Sequence, residues 1–299
     1  MSRDLFCKYI WIIDTIRRHG RISRRELDAL WRRSSYSQGE GLPRRTFYNY
    51  RTAIEQLFGI TIMCDPVTFE YYIGDQSIAG GGNVTDWMLN SAAINNSLAD
   101  ASAIADRIFV EDVPSAREHL ASVITALKEY HPIVFTYHPY TRSTPNTGVA
   151  IEPYFLKIFR QRWYVTGRNI RQNVIKTYAL DRMSNLSVQS EVFEMPVDFS
   201  PAVYARDSFG IIFNQGNTYQ VSLKCDPRRA KYLRALPLHH SQNEMVGDGY
   251  SVFTYRLKLT PDLVQELVSL GPSVTVLSPP ELKAMVVKEL TATLANYNQ

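Results

Sequence analysis

Apolar residues at Leu5, Phe6, Tyr9, Ile12, Ile13 and Ile16 recur at three- and four-residue intervals, which predicts one face of a helix over residues 5–18. Gly20 ends that pattern. Arg17, Arg18 and His19 fall in the last turn, where positive charge meets the negative end of the helix dipole. Ser23 and Glu26 then stand at capping-box spacing, so the serine can take the third backbone amide while the glutamate reaches back. They open a second helix running to about Arg33, with Leu27, Leu30 and Trp31 turned inward. Residues 34–41 read as a loop from their Ser and Gly content. Pro43 suits the first position of a third helix. That helix buries Phe47, Tyr50, Ile54, Leu57 and Phe58 and stops at Gly59. Weak alternation from Ile60 to Ile73 around Asp65-Pro66 predicts a β-hairpin. Three helices and a hairpin make a winged helix-turn-helix layout, expected over residues 1–78.

The texture changes further along. Gly80-Gly81-Gly82 marks a hinge, and residues 79–130 read as a helical linker. Its expected buried positions are Trp87, Leu89, Ile94, Leu98, Ile104, Ile108, Leu120, Ile124 and Leu127, and Pro114 divides it. Short strands follow at Ile133–Tyr137, Val149–Phe159, Arg162–Gly167 and Val174–Leu180. Their spacing predicts a small barrel over residues 131–195. From residue 200 to 299 strands alternate with helices: strands at Val221–Lys224, Tyr250–Leu259 and Ser273–Leu277, helices at Arg228–Leu236, after Thr260-Pro261 and after Pro279-Pro280. The fold class expected is multidomain α+β.

Composition narrows the reading. The 299 residues are 45% hydrophobic and 21% charged, an ordinary globular mixture with room for more than one core. No stretch reaches the ~18 apolar residues of a membrane span, and the first residues lack the apolar run of a signal peptide. Cys7, Cys64 and Cys225 lie far apart with no CxxC pair, which fits reduced thiols in the cytoplasm. The formal charge is +4, but residues 1–60 hold 12 Lys/Arg against 6 Asp/Glu. That imbalance fits either a polyanion partner at this end or a solvated basic surface.

The third helix sharpens the choice. Its face away from Phe47, Tyr50 and Ile54 presents Arg44, Arg45, Tyr48 and Asn49, with Thr46 between them. Arg pairs with guanine or phosphate, and Asn pairs with adenine in bidentate fashion. Arg24 and Arg25 sit on the first turn of the second helix, where helix-turn-helix folds approach the phosphate backbone. Duplex DNA is therefore the expected partner. Two features depart from a standard reader. The loop before the third helix is longer than the usual turn, and Ile60 to Asp75 contains no Lys or Arg, so the wing adds little phosphate attraction.

Arg162-Trp163-Tyr164-Val165-Thr166-Gly167, followed by Thr177-Tyr178-Ala179-Leu180-Asp181-Arg182-Met183, resembles the WYL domain, with Val165 in place of the leucine. The likeness runs from about Ile133 to Ser190. The basic helical start and the Gly271–Pro279 segment are also similar to WYL regulators with their C-terminal extension. The resemblance implies an Sm-like, SH3-type barrel, homodimers, and transcriptional control by a nucleotide or nucleic-acid effector. Alternation puts Trp163 and Val165 on the core face of their strand and Arg162, Tyr164 and Thr166 on the other. The second face is expected to join Lys176, Tyr178 and Arg182, with Tyr137, His138, Arg142, Tyr154 and Arg160 at nearby strand ends. Aromatic faces interleaved with Arg suit stacked bases and phosphates, although any one of these tyrosines can equally be core.

Other signals are set aside. His239-His240 point apart on regular structure and have no completing Cys or Asp for a metal. Gly80–Gly82 has no following GK[ST]. His131 and His138 lack a nucleophile in a recognisable turn, and Asp181 lacks a carboxylate partner. No cofactor, metal or enzymatic activity is expected. The competing readings are an accessory protein that binds single-stranded nucleic acid through the barrel, and an enzyme acting on a nucleotide.

Overall fold

The computed structural model describes residues 3–74, 91, 107, 117–213 and 216–298. The chain divides into two compact units, residues 1–110 and 111–299. The glycine hinge, Pro114 and linker positions from Trp87 to Ile108 lie outside the described residues.

In the first unit the helices fall where periodicity places them: α1 (Arg3–His19), α2 (Arg24–Arg32) and α3 (Arg44–Phe58). Ser23 closes the capping box on α2, accepting from the Glu26 amide at 3.3 Å and donating its own amide to Glu26 Oε2 at 3.0 Å. Pro43 is the cap residue of α3 rather than its first member, and Gly59 ends that helix at φ 65°, a left-handed conformation that favours glycine. A short strand β1 (Ile22–Ser23) pairs with β3 (Glu70–Ile73), which pairs with β2 (Ile62–Cys64). The order β1-β3-β2 thus ties the hairpin to the chain entering α2. Ile12, Ile13, Ile16, Leu27, Phe47, Ile54 and Ile62 fill the core. Burying a side chain such as Phe47 contributes about 1.5–3 kcal/mol. Leu57, expected inside, is 53% exposed, because it lies beyond the stripe formed by Phe47, Tyr50, Ile54 and Phe58.

In the second unit α4 (Arg117–Glu129) leads into a five-stranded antiparallel sheet. Its strands are β4 (Ile133–Tyr137), β5 (Asn146–Phe159), β6 (Arg162–Asn169), β7 (Val174–Ala179) and β8 (Met183–Val188), ordered β7-β6-β5-β4-β8. A 3₁₀ turn, Leu180–Arg182, joins β7 to β8. Ile133, Phe135, Ile151, Val165, Tyr178 and Leu180 pack with Val123 and Ala126 of α4 into one core. Ile124, expected inside, is 48% exposed on the outer side of α4. Gly167 sits where strands approach closely: a Cβ there would lie 2.1 Å from the Glu152 carbonyl oxygen.

After α5 (Pro201–Ala205), a second antiparallel sheet forms from β9 (Thr218–Cys225), β10 (Asn243–Gly247), β11 (Tyr250–Lys258) and β12 (Val274–Ser278), in the order β10-β11-β9-β12. Helices α6 (Pro227–Ala235), α7 (Pro261–Ser269) and α8 (Pro280–Tyr297) complete it. Leu223, Phe253, Leu257, Leu263 and Leu282 share its core. Strand β10 escapes sequence reading because it is an edge strand with Met245 and Val246 both in solvent, so it shows no alternation. Strand β5 meets the segment that precedes β9 through Phe159 on Phe209, ring centroids 5.6 Å apart, and through Lys157, which donates to the Gly210 carbonyl. Burial pulls the Lys157 ammonium below its ordinary value, against the opposing charge of Asp262.

Candidate nucleic-acid interface and sensing face

On α3, Arg44, Arg45, Tyr48 and Asn49 are exposed, Thr46 is half-buried, and Phe47 and Ile54 anchor the opposite side. The Arg44 guanidinium lies over the Tyr48 ring at 5.6 Å, and the Tyr48 and Tyr71 hydroxyls are 3.4 Å apart. The bond with Tyr71, then that with Arg44, pulls the Tyr48 phenol below its ordinary value. Tyr71 is pushed up to about 12, first by burial and then by Tyr48. The pair fixes the phenol of Tyr48 beside the exposed Arg44 guanidinium.

The two arginines of α2 separate. Arg25 is exposed. Arg24 is half-buried over the Phe47 ring at 5.1 Å and donates to the Leu42 carbonyl. Asp28, one turn on, accepts from the Leu42 amide at 2.7 Å and from Arg32 Nε at 3.0 Å. Burial pushes the Asp28 carboxyl up, but the Leu42 amide and Arg32 outweigh it and hold the group below the usual range. Leu42 is thus held at both backbone groups, immediately before α3. Ser37 further closes the loop, donating to the Arg32 carbonyl at 3.0 Å and accepting from the Gly39 amide at 3.0 Å. The long loop is therefore a fastened one. At the hairpin tip Val67 and Phe69 are 83% and 70% exposed, a feature that sequence reading passed over because no alternation leads up to it.

The residues expected to contact an effector do not form one cluster. In the β6–β7 register Tyr164 faces Ala179, Val165 faces Tyr178, and Gly167 faces Lys176. Alternation then puts Arg162, Tyr164 and Thr166 on one side and Lys176 and Tyr178 on the other. The expected grouping of Lys176 and Tyr178 with Tyr164 is corrected accordingly, since a register offset of one residue reverses every side chain. Tyr178 is a core residue; its hydroxyl accepts from Asn169 Nδ2 at 3.0 Å. Tyr154 is also buried, its ring 4.8 Å from that of Phe199. Arg160 turns toward α7 and pairs with Glu266. His138 is exposed, with Nε2 2.9 Å from Ser184 Oγ.

One face keeps Arg162, Tyr164 and the 3₁₀ turn together. Arg162 pairs with Asp181, and Arg182 stacks over the Tyr140 ring at 3.5 Å. Burial opposes the charge on Arg162, but the bond to Asp181 together with the charges of Tyr164, Asp181 and Tyr140 outweighs it, and the guanidinium pKa rises. Burial likewise pushes the Tyr164 phenol up, against Arg162 and Arg182. Three buried atoms in this group, Arg162 Nε, Asp181 Oδ1 and Arg182 Nε, have no hydrogen-bond partner. The other face opens as a cleft of about 520 Å3 whose lining includes Tyr137, Arg142, Lys176 and Tyr178. Tyr137 touches both regions: its ring is 5.1 Å from that of Tyr178, and its hydroxyl accepts from the Ala179 amide at 3.4 Å. Tyr140 and Arg171 were missed in the sequence; both sit in turns, where no periodicity marks a face.

Among the described residues no group of three or more His, Cys, Asp or Glu could hold a metal. His239 is held by Ser241 Oγ and the Arg206 carbonyl, each 2.7 Å from a ring nitrogen. No helix among them is long and apolar enough to cross a membrane.

The second unit thus combines a five-stranded sheet bearing a WYL-like strand with a separate α+β sheet. The chain carries a WYL domain, whose family model matches residues 118–188, and a WCX domain, matched over residues 217–294. No curated protein matches it. Among solved structures, proteasome accessory factor B/C (PafBC) of Arthrobacter aurescens is similar at 22% identity, over 96% of this chain and 46% of that one, with a TM-score of 0.35. A CRISPR Cas-related protein is similar at 11% identity, over 62% of this chain and 51% of that one, with a TM-score of 0.21. The chain spans about half the length of these two.

Proposed function

We propose that the chain is a DNA-binding transcription regulator whose WYL domain senses a nucleotide or single-stranded nucleic acid. In this reading the first unit is a winged helix-turn-helix, and the five-stranded sheet is a small Sm-like barrel. The protein acts in the cytoplasm as a homodimer, by binding and without catalysis. The observation that carries the reading is the first two turns of α3, which hold Arg44, Arg45, Tyr48 and Asn49 in solvent on a helix anchored by Phe47 and Ile54. Such a face enters the major groove, where these side chain types meet base edges and phosphates. The WYL match supports the regulatory half. The effector is assigned to the face of Arg162, Tyr164 and Arg182, where the three unpaired buried atoms suit a polar ligand.

The test is fluorescence anisotropy with duplexes from the region upstream of the chain's own gene, against single strands of the same sequence. Duplex affinity should fall steeply with salt, and the double variant Arg44→Ala, Arg45→Ala should lose at least tenfold while keeping its circular dichroism. Normal duplex binding by that variant refutes the assignment of α3. Tighter binding of the single strand points to the accessory-protein reading instead. For the effector face, Arg182→Ala should weaken capture of labelled single-stranded 12-mers; unchanged affinity removes Arg182 from the site.

A further inference from the structure

The cleft on the other face of the five-stranded sheet has a chemistry of its own. It opens between the β4–β5 connection and the β6–β7 turn, and its volume of about 520 Å3 falls within the roughly 300–1,000 Å3 typical of small-molecule sites. Three cations line it: Arg142 from the first connection, Arg171 from the second, and Lys176 from β7. None of its described lining residues is a carboxylate. Arg142 is steadied by a bond to Asn146 Oδ1, also on the rim. Arg171 and Lys176 are exposed. This contrasts with the Arg162 face, where Asp181 neutralises one guanidinium.

The floor is apolar and fixed. Tyr137 and Tyr178 meet edge to face at 5.1 Å, and Asn169 locks the Tyr178 hydroxyl. Val149 and Pro139 continue the floor toward the rim. An uncompensated triple positive charge above such a floor matches a ligand that joins a multiply charged anion to a flat ring system.

We propose that this cleft is a second ligand site, separate from the Arg162 face, that takes a nucleoside di- or triphosphate, with the phosphates on Arg142, Arg171 and Lys176 and the base against the tyrosine floor. The register supports the separation, since Lys176 and Tyr178 are directed away from Arg162 and Tyr164. Among the described residues the two sites share Tyr137, whose ring lines the cleft while its hydroxyl meets the strand end before the 3₁₀ turn.

Isothermal titration of the full chain with the four ribonucleoside triphosphates, their monophosphates, the nucleosides and inorganic triphosphate tests the assignment. At least one triphosphate should bind ten-fold or more tighter than its own nucleoside and than inorganic triphosphate. The double variant Arg171→Gln, Lys176→Gln changes exposed side chains, so it should fold normally and lose at least tenfold in affinity. Lys288→Gln removes an exposed cation of α8 outside the cleft lining and should leave nucleotide affinity unchanged. A nucleoside as tight as its triphosphate, or no loss in the double variant, overturns the phosphate assignment. Inorganic triphosphate as tight as the nucleotides overturns the base assignment. Absence of binding across the panel overturns the site. Loss on Arg162→Ala with none in the cleft variant puts the nucleotide on the sensing face, which ends this inference while leaving the regulator reading intact.

Discussion

Asp28→Ala should release the entry to α3. In the folded chain Asp28 Oδ1 takes the Leu42 amide at 2.7 Å and Oδ2 takes Arg32 Nε at 3.0 Å, with Arg24 Nη1 at 3.8 Å. Leu42 is 3% exposed, so its amide has little access to water once the carboxylate is gone. A hydrogen bond to a charged group contributes about 1.5–3 kcal/mol, and an amide left unpaired costs its desolvation. The Arg32 pair, with that side chain 55% exposed, adds about 0–1 kcal/mol. The expected loss is about 2–3 kcal/mol. For a unit of this size each kcal/mol shifts the midpoint by roughly 4–8 °C, so the transition should fall by about 10 °C or more. Calorimetry of the full chain, with hydrogen exchange of the amides at residues 42–50, reads both the energy and its location. Asp28→Asn keeps an acceptor for the amide and should lose about half as much. The pH dependence has a definite sign. The carboxyl is held below its ordinary 3.8, so its contribution is present above that value and is lost as pH falls through the depressed folded value. An Asp28→Ala chain with an unchanged transition and unchanged exchange at residues 42–50 would falsify the clamp.

Other consequences are equally direct. Gly167→Ala places a methyl 2.1 Å from the Glu152 carbonyl oxygen, forces β5 and β6 apart, and should cost about 3 kcal/mol or more; a normal thermal midpoint for the second unit contradicts the packing. His239 is depressed from 6.5 to about 4 by burial and then by His240, so the native state resists the proton that the unfolded chain accepts. Stability from this group is therefore complete above pH 6.5 and falls as pH drops toward 4, by on the order of 1 kcal/mol after solvent screening. A His239→Gln chain should show a flatter profile between those values in calorimetric titrations, and identical slopes would refute the point. If the chain binds duplex DNA as proposed, with Arg45 on a phosphate, Arg45→Ala should reduce the logarithmic salt slope of binding by about 1; an unaltered slope takes Arg45 off the backbone.

Much of the fold was legible because its determinants are local. The Ser23–Glu26 capping box, the Gly59 stop and the stripe of Phe47, Tyr50 and Ile54 act over one or two turns, and each produced its element. Strands β4 to β7 were readable for the same reason, being bounded by turn residues. Strand β10 was not, since an edge strand exposed at Met245 and Val246 carries no alternating signal. Among site residues, the exposed face of α3 followed from helical periodicity alone. Arg24 did not: it stands on a first helical turn like Arg25, and only the returning loop at Leu42 makes it a structural clamp.

The sequence by itself determined the helices of the first unit, the strand segments of the five-stranded sheet, and the chemical types offered to a ligand, since propensity, capping and alternation are properties of neighbouring residues. Tertiary structure alone decided which of those types stand together. Alternation ranks side chains within β6 and within β7, but the register between strands is set by turns and packing, and a shift of one residue exchanges the faces. That register sends Lys176 and Tyr178 to the cleft and leaves Arg162 and Tyr164 with Arg182. One expected sensing cluster thereby becomes two chemically different faces of a single sheet.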